Sequence, residues 1–254
     1  MGMASPGSLW NRLAVWFLTV LVPPASRNRP VRRLSQLLLG LVLYGISDSL
    51  LVLARLGLDP WDVFHQGLAR HTGIPIGTWS ILVGVAVLFL WIPLRQRPGI
   101  GTLLNAILIG AVMDVILGAF APPAALWLRV ALLVLGVFLC GIATGAYIGA
   151  GLGPGPRDGV MMGLAARGYS LRKARTAIEL TVLIAGWLLG GNVGVGTLVY
   201  ALGIGPLAHV FIPFFTVKPL AVADEEPPQT AGLPLHGVRP SGDSSVRGAE
   251  GAFE

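Results

Sequence analysis

An internal duplication constrains this chain more than any other feature. Residues 39–69 and 135–165 align at an offset of 96 without a gap and match at 13 of 31 positions, among them Gly40/Gly136, Gly45/Gly141, Gly57/Gly153, Pro60/Pro156 and Asp62/Asp158. A second block follows at an offset of 95, where Gly99-Ile100-Gly101-Thr102-Leu103 answers Gly194-Val195-Gly196-Thr197-Leu198, and Ala106/Ala201, Ile109/Ile204, Gly110/Gly205 and Val115/Val210 continue the match. Leu, Ala and Gly coincide readily in an apolar sequence. A paired Pro-x-Asp followed in both copies by Gly-Leu-Ala (Gly67-Leu68-Ala69 and Gly163-Leu164-Ala165) does not. Two like units are therefore expected, and the number of membrane crossings in each decides how they are oriented.

The apolar character of the chain makes crossings the natural reading. With 54% hydrophobic residues, 12% charged residues and a mean hydropathy of +0.74, it lies outside the soluble globular range. A bilayer core of about 30 Å needs about 20 apolar residues per helix. Six stretches approach that length: 34–56, 77–94, 100–120, 126–149, 174–190 and 197–216. None alternates with the period of an outer-membrane strand. The expected fold is an all-α polytopic transmembrane helix bundle of six spans, arranged as two three-helix repeats over 34–120 and 126–216. An odd number of spans per repeat inverts the second copy relative to the first.

The charge distribution fits that topology. If the N-terminus is cytoplasmic, 15 of the 18 Lys and Arg fall on the inner side, and only Arg55, Arg70 and Arg129 fall outside. Both termini are then cytoplasmic. The formal net charge of +6 is explained by topology, and no nucleic-acid partner is expected. The first 33 residues form a basic segment in which 9–22 is an interfacial helix or a short seventh span, and the Arg27–Arg33 cluster anchors the first span at anionic lipid. Residues 219–254, rich in Pro, Gly and Ser, read as a disordered cytoplasmic tail. The single Cys140 excludes an intramolecular disulfide.

Each repeat also carries a short element that cannot cross. One begins Asp59-Pro60-Trp61-Asp62, the other Gly155-Pro156-Arg157-Asp158, and both read as a helix start. Proline at the first helical position loses no hydrogen bond, and an aspartate in the first turn meets free N–H groups and the positive dipole end. Two accounts stand. By the charge count the first lies toward the outside and the second toward the inside; either they lie on the membrane as amphipathic helices, or they dip inward as half-helices facing a polar solute from opposite sides.

The run Leu56-Gly57-Leu58-Asp59-Pro60-Trp61-Asp62, with His65-Gln66-Gly67-Leu68, Gly77-Thr78-Trp79-Ser80 and Gly99-Ile100-Gly101-Thr102, resembles the bacterial YitT/YczE-type integral membrane proteins. The resemblance covers about residues 34–216 and departs at Asp59, where Gly is expected, as Gly155 retains in the second copy. It implies a multi-pass protein of the bacterial plasma membrane with no assigned biochemical activity, and it supplies no catalytic residue.

Ionisable residues within spans are costly and so become candidates for solute contact or a proton pathway. They are Asp48, Asp114 and His209, joined by Pro60, Asp62, Pro156 and Asp158 at the short helices and, more weakly, by Glu179. Each has a bland alternative: Asp48, Asp114 and His209 as satisfied groups inside the bundle, Glu179 as the partner of Arg175 one turn earlier. Asp114 and His209 hold equivalent positions and are expected to flank a central cavity on opposite sides of the midplane rather than to pair. His65 and His71 are expected near the external surface. The glycines Gly141, Gly145 and Gly149 form a helix-packing face.

No phosphate loop, His-Glu-x-x-His or Cys/His ligand spacing occurs. Neither an enzyme, a cofactor nor a metal is therefore expected. The leading expectation is a small-solute transporter with its site where the inverted repeats meet. The alternatives are a non-transporting scaffold or accessory protein, and the substrate-binding membrane subunit of an ATP-driven transporter. Expected partners are the lipid bilayer, an unknown small solute, and a homo-oligomer or accessory membrane subunits.

Overall fold

The computed structural model describes residues 29–217. The expected interfacial helix at 9–22 and the tail from 219 lie outside the described residues. Nine helices are present among them: α1 (Pro30–Ala54), α2 (Pro60–Thr72), α3 (Ile76–Phe89), α4 (Trp91–Leu94), α5 (Ile100–Ala119), α6 (Leu126–Gly149), α7 (Pro156–Ala165), α8 (Leu171–Leu188) and α9 (Val195–Phe215). No strand occurs among the described residues.

Four helices, α1, α5, α6 and α9, are long and apolar enough to cross a bilayer, and a fifth crossing is reached if α2 and α3, bent 115° apart, count as one. The other two expected spans differ for physical reasons. In the first half, α3 has 14 residues and continues through Leu90 into the single turn of α4. In the second half, α8 carries Arg172, Lys173, Arg175 and Glu179 in its first turns, which lowers its apolar character. Large apolar side chains such as Val115, Leu202 and Phe214 point outward and are largely exposed, the pattern of helices solvated by lipid.

The core is built on α1 and α6, which pack antiparallel along their length. Gly40 of α1 lies against Ala146 and Tyr147, and its counterpart Gly136 of α6 lies against Ser47 and Leu51. Their ends are tied reciprocally. Arg33 donates to the carbonyl of Ala150 just beyond α6 at 2.7 Å, and Arg129 donates to the carbonyl of Ala54 at the end of α1 at 2.8 Å. Arg33 and Arg129 differ by the same 96 positions as Ala54 and Ala150. These guanidiniums satisfy helix-end carbonyls that would otherwise be unpaired. Arg33, expected among the lipid-anchoring cluster, is instead only 4% exposed and also donates to Val217.

The remaining helices exchange between the halves. The loop after α1 is clasped by the start of α9, with Gly196 N–H donating to Leu56 O at 2.7 Å, while the loop after α6 is clasped by α5, with Gly101 N–H donating to Leu152 O at 2.9 Å. A Cβ on Gly196 or Gly101 would meet these backbones at 3.0 Å or less, so side chains larger than hydrogen are excluded there. Short helix α2 packs on α8 through Gly67 and Gly186, and short helix α7 packs on α3 and α4, with Gly159 against the Trp91 ring. The Gly141, Gly145 and Gly149 face receives Leu207, Phe211 and Phe215 of α9.

Candidate functional site

The two short helices meet at their N-terminal ends. Asp59 is the N-cap of α2: its carboxylate accepts from the backbone N–H of Trp61 at 3.0 Å and of Asp62 at 3.2 Å, the arrangement that satisfies orphan donors at a helix start. The Arg157 guanidinium, in the first turn of α7, stands 4.0 Å from the Asp59 carboxylate and 4.8 Å above the Trp61 ring. Trp61 and Arg157 hold equivalent positions, and the charge count put their helices toward opposite sides of the membrane; they are instead in contact. Trp61, Asp62 and His65 are buried. This burial departs from a surface-lying α2, and His65, expected near the external surface, is packed inside the protein at 0% exposure.

Behind this junction, three carboxylates converge. Asp48 of α1, Asp59 and Asp62 are all buried, and each offers an oxygen within 4.8 Å of the others. Asp62 Oδ1 accepts from His65 Nδ1 at 3.0 Å. Burial, and then the adjacent Asp62 carboxylate, push the Asp59 carboxyl up to about 7, with the Arg157 charge acting in the opposite direction.

A cavity of about 420 Å³ opens beside the cluster. The first half contributes Tyr44 and Asp48 from α1, Ser80 from α3 and Asn105 from α5; the second contributes Thr144 and Tyr147 from α6, Pro156, Arg157 and Asp158 from α7, Arg175 from α8, and Tyr200 and His209 from α9. Asp158 accepts a short hydrogen bond from the Tyr147 hydroxyl, which fixes its carboxylate at the wall. Arg175 pairs with Glu179 at 2.9 Å, the expected bland role for Glu179.

Of the residues singled out in the sequence, Asp48, Pro156, Asp158 and His209 line the cavity. Asp62 sits one layer behind in the carboxylate cluster, and Pro60 starts α2 without reaching the cavity. Asp114 lies elsewhere: its two oxygens accept from Gly77 N–H and from the Thr78 hydroxyl, both at 2.7 Å, at the start of α3. Asp114 and His209 do not pair. Asp59, Arg157, Tyr147 and Tyr200 were missed as site residues. Asp59 had a signal, an aspartate placed before Pro at a helix start, whereas the tyrosines look like ordinary span residues until the helices converge.

Long helices with apolar outer faces around a cavity that carries polar side chains in its wall define a polytopic helical membrane protein. Residues 31–213 match the family described as "Family of unknown function (DUF6198)", and the chain belongs to that family. A Haemophilus influenzae protein described as "Uncharacterized protein" is 41% identical over 208 residues, covering 82% of this chain and 90% of the relative. The Bacillus subtilis "Uncharacterized membrane protein YczE" is 36% identical over 203 residues, covering 78% and 94%. A second Bacillus subtilis relative, "Uncharacterized protein YyaS", is 28% identical and covers 69% and 90%. No solved structure matches.

Proposed function

We propose that this protein is a small-solute transporter of the bacterial cell membrane, built from two inverted repeats of three spanning helices, with its solute site in the cavity between them. The observation that carries this reading is the cavity itself, walled by polar side chains of both halves within helices whose outer faces are apolar. Ionisable groups so placed are expensive to retain, and recognition of a polar solute gives them a use.

Antiparallel α1 and α6, the reciprocal Arg33 and Arg129 bonds, and the contact between equivalent residues Trp61 and Arg157 support a twofold relation between the halves. With α1 and α6 along the membrane normal, that axis lies in the membrane plane, and short helices starting at the midplane are a recurrent way of presenting N–H groups and charges to a solute. Helix α3 with α4, and α8 with its charged first turns at the headgroups, complete six crossings. With Arg157 taken out of the count because it lines the cavity, the remaining 14-to-3 split of Lys and Arg supports both termini in the cytoplasm. In this reading Asp48, Arg157, Asp158 and His209 contact the solute or its proton, the protein performs no covalent chemistry, and Asp114 holds the first half together.

The test begins with thermal unfolding of the detergent-purified protein against a panel of small polar solutes, since a ligand stabilises the state it binds. A labelled hit is then followed in proteoliposome counterflow for the wild type and for Arg157→Gln and His209→Gln, each checked for insertion. Saturable exchange, slowed at least about tenfold in both variants, is expected. A hit that binds without exchange overturns transport in favour of a binding subunit. Unchanged flux in both variants overturns the cavity as the site. Reporter fusions after Ile74, Ala124 and Asn192 are expected to read outside, and fusions near Gln96 and Tyr169 inside.

A further inference from the structure

The carboxylate cluster behind the cavity asks for a counter-charge that the protein does not fully provide. Asp48, Asp59 and Asp62 come from two segments and place one oxygen each within 4.8 Å of the others, all three side chains being buried. Arg157 is the nearby cation, and it approaches only Asp59, at 4.0 Å. Three ionised carboxylates facing one guanidinium leave two negative charges uncompensated in a buried site, which is strongly unfavourable.

A second observation is independent of that charge balance. Asp62 Oδ2 is a buried atom with no hydrogen-bond partner, although Oδ1 of the same carboxylate is engaged by His65. Buried polar atoms are almost always paired, so an orphaned oxygen on one of three converging carboxylates points to a partner that the described residues do not supply. Hard carboxylate oxygens suit a hard cation such as sodium, calcium or magnesium. Access exists, because Asp48 belongs both to the cluster and to the cavity wall.

We infer that Asp48, Asp59 and Asp62 form a binding site for one hard, oxygen-coordinated cation, entered from the cavity. The site goes beyond the transport reading and does not depend on it, since the ion can be bound whether or not a solute moves.

Equilibrium binding to the purified full-length protein in detergent at pH 8 tests this, with NaCl, CaCl2 and MgCl2 titrated against a choline background by calorimetry and thermal unfolding. Saturable one-to-one binding of at least one of the three ions is expected, and the three arms identify which ion is held. Protonation competes with the ion, so affinity is expected to fall as the pH is lowered. Asp59→Asn keeps a side-chain oxygen for the N-cap and should fold while binding at least about tenfold more weakly. Asp48→Asn should do the same, and Asp114→Asn, outside the cluster, should bind as the wild type does. No saturable response to any of the three ions in the wild type overturns the site, with the carboxylates then holding protons alone. Wild-type affinity in both Asp48→Asn and Asp59→Asn overturns it equally.

Discussion

In the first half, α3 is closed against α5; in the second, the equivalent α8 stands apart from α9. A Cβ built on Gly110 of α5 lies 2.2 Å from the Gly77 carbonyl oxygen of α3, so the two backbones touch. The matching Gly205 of α9 has nothing within 4 Å and borders the cavity. Asp114 accepts from the start of α3, while His209, its counterpart, faces the cavity, and no hydrogen bond engages it among the described residues. Two sequence differences accompany this. At the offset of 95, Gly77 is replaced by Arg172 and Ala111 by Pro206, which removes a backbone donor within α9. One interface is thus a zipped pair of small residues, and the other an unzipped, charged one that makes room for a cavity. Two similar stretches of sequence thus build two unlike interfaces.

The sharpest way to break the comparison is to add a methyl group at each glycine. Gly110→Ala forces the α3 and α5 backbones apart, and overpacking of this kind destabilises by about 1–3 kcal/mol. Gly205→Ala adds a methyl to open space and should stay within about 0.5 kcal/mol of the wild type. Thermal unfolding in detergent reads both. Equal losses would mean that α8 and α9 are as tightly joined as α3 and α5.

A second pair compares Asp114 with His209. Asp114→Ala leaves the Gly77 N–H and the Thr78 hydroxyl without their acceptor, a loss of about 1–3 kcal/mol for part-buried donors. His209→Ala removes a cavity-wall side chain and should scarcely alter the unfolding temperature. A large loss at His209 would place it in a structural bond like that of Asp114.

A third pair measures what the halves share rather than what separates them. Arg33 and Arg129 each hold two carbonyls, Arg33 those of Ala150 and Val217 and Arg129 those of Ala54 and Arg55. Both alanine variants should lose about 1–2 kcal/mol, with Arg33→Ala the larger because it is more deeply buried. A loss at only one end would mean that the reciprocal ties are not equivalent in energy.

Much of the frame was legible in the sequence because periodicity and duplication are local signals. The helix starts at Pro60 and Pro156 and the glycine packing face at Gly141, Gly145 and Gly149 needed only spacing to be read. The site was less legible, because it depends on which helices exchange partners. Asp48 and Asp158 were found as polar residues in apolar surroundings, but Asp48 meets Asp59 and Asp62 only after α1 turns back through the Gly57 loop, and His65 becomes buried only when α2 packs on α8. Arg33 and Arg129 sat at the offset of 96 just outside the matched block, and only their carbonyl partners reveal their role. Asp114 looked equivalent to His209 by alignment, and the closing of one interface gave it a different task.

The smallest expected effect concerns the cap position, where Asp59 in the first half stands opposite Gly155 in the second. As a cap, Asp59 is replaced at little loss by Asn, which ranks with Asp at that position. As a charge, it is crowded: burial and then Asp62 raise its folded-state pKa to about 7, above the ordinary carboxylate value that it has in the unfolded chain. The folded state therefore binds this proton more tightly than the unfolded state, and stability falls as the pH rises between those two values. Asp59→Asn removes this dependence. In choline buffer with chelator, the difference in unfolding temperature between Asp59→Asn and the wild type should shift in favour of the variant as pH rises from about 4 to about 7, then level off. A shift in the opposite direction would mean that Arg157 overrides the crowding and that Asp59 is held as a paired carboxylate.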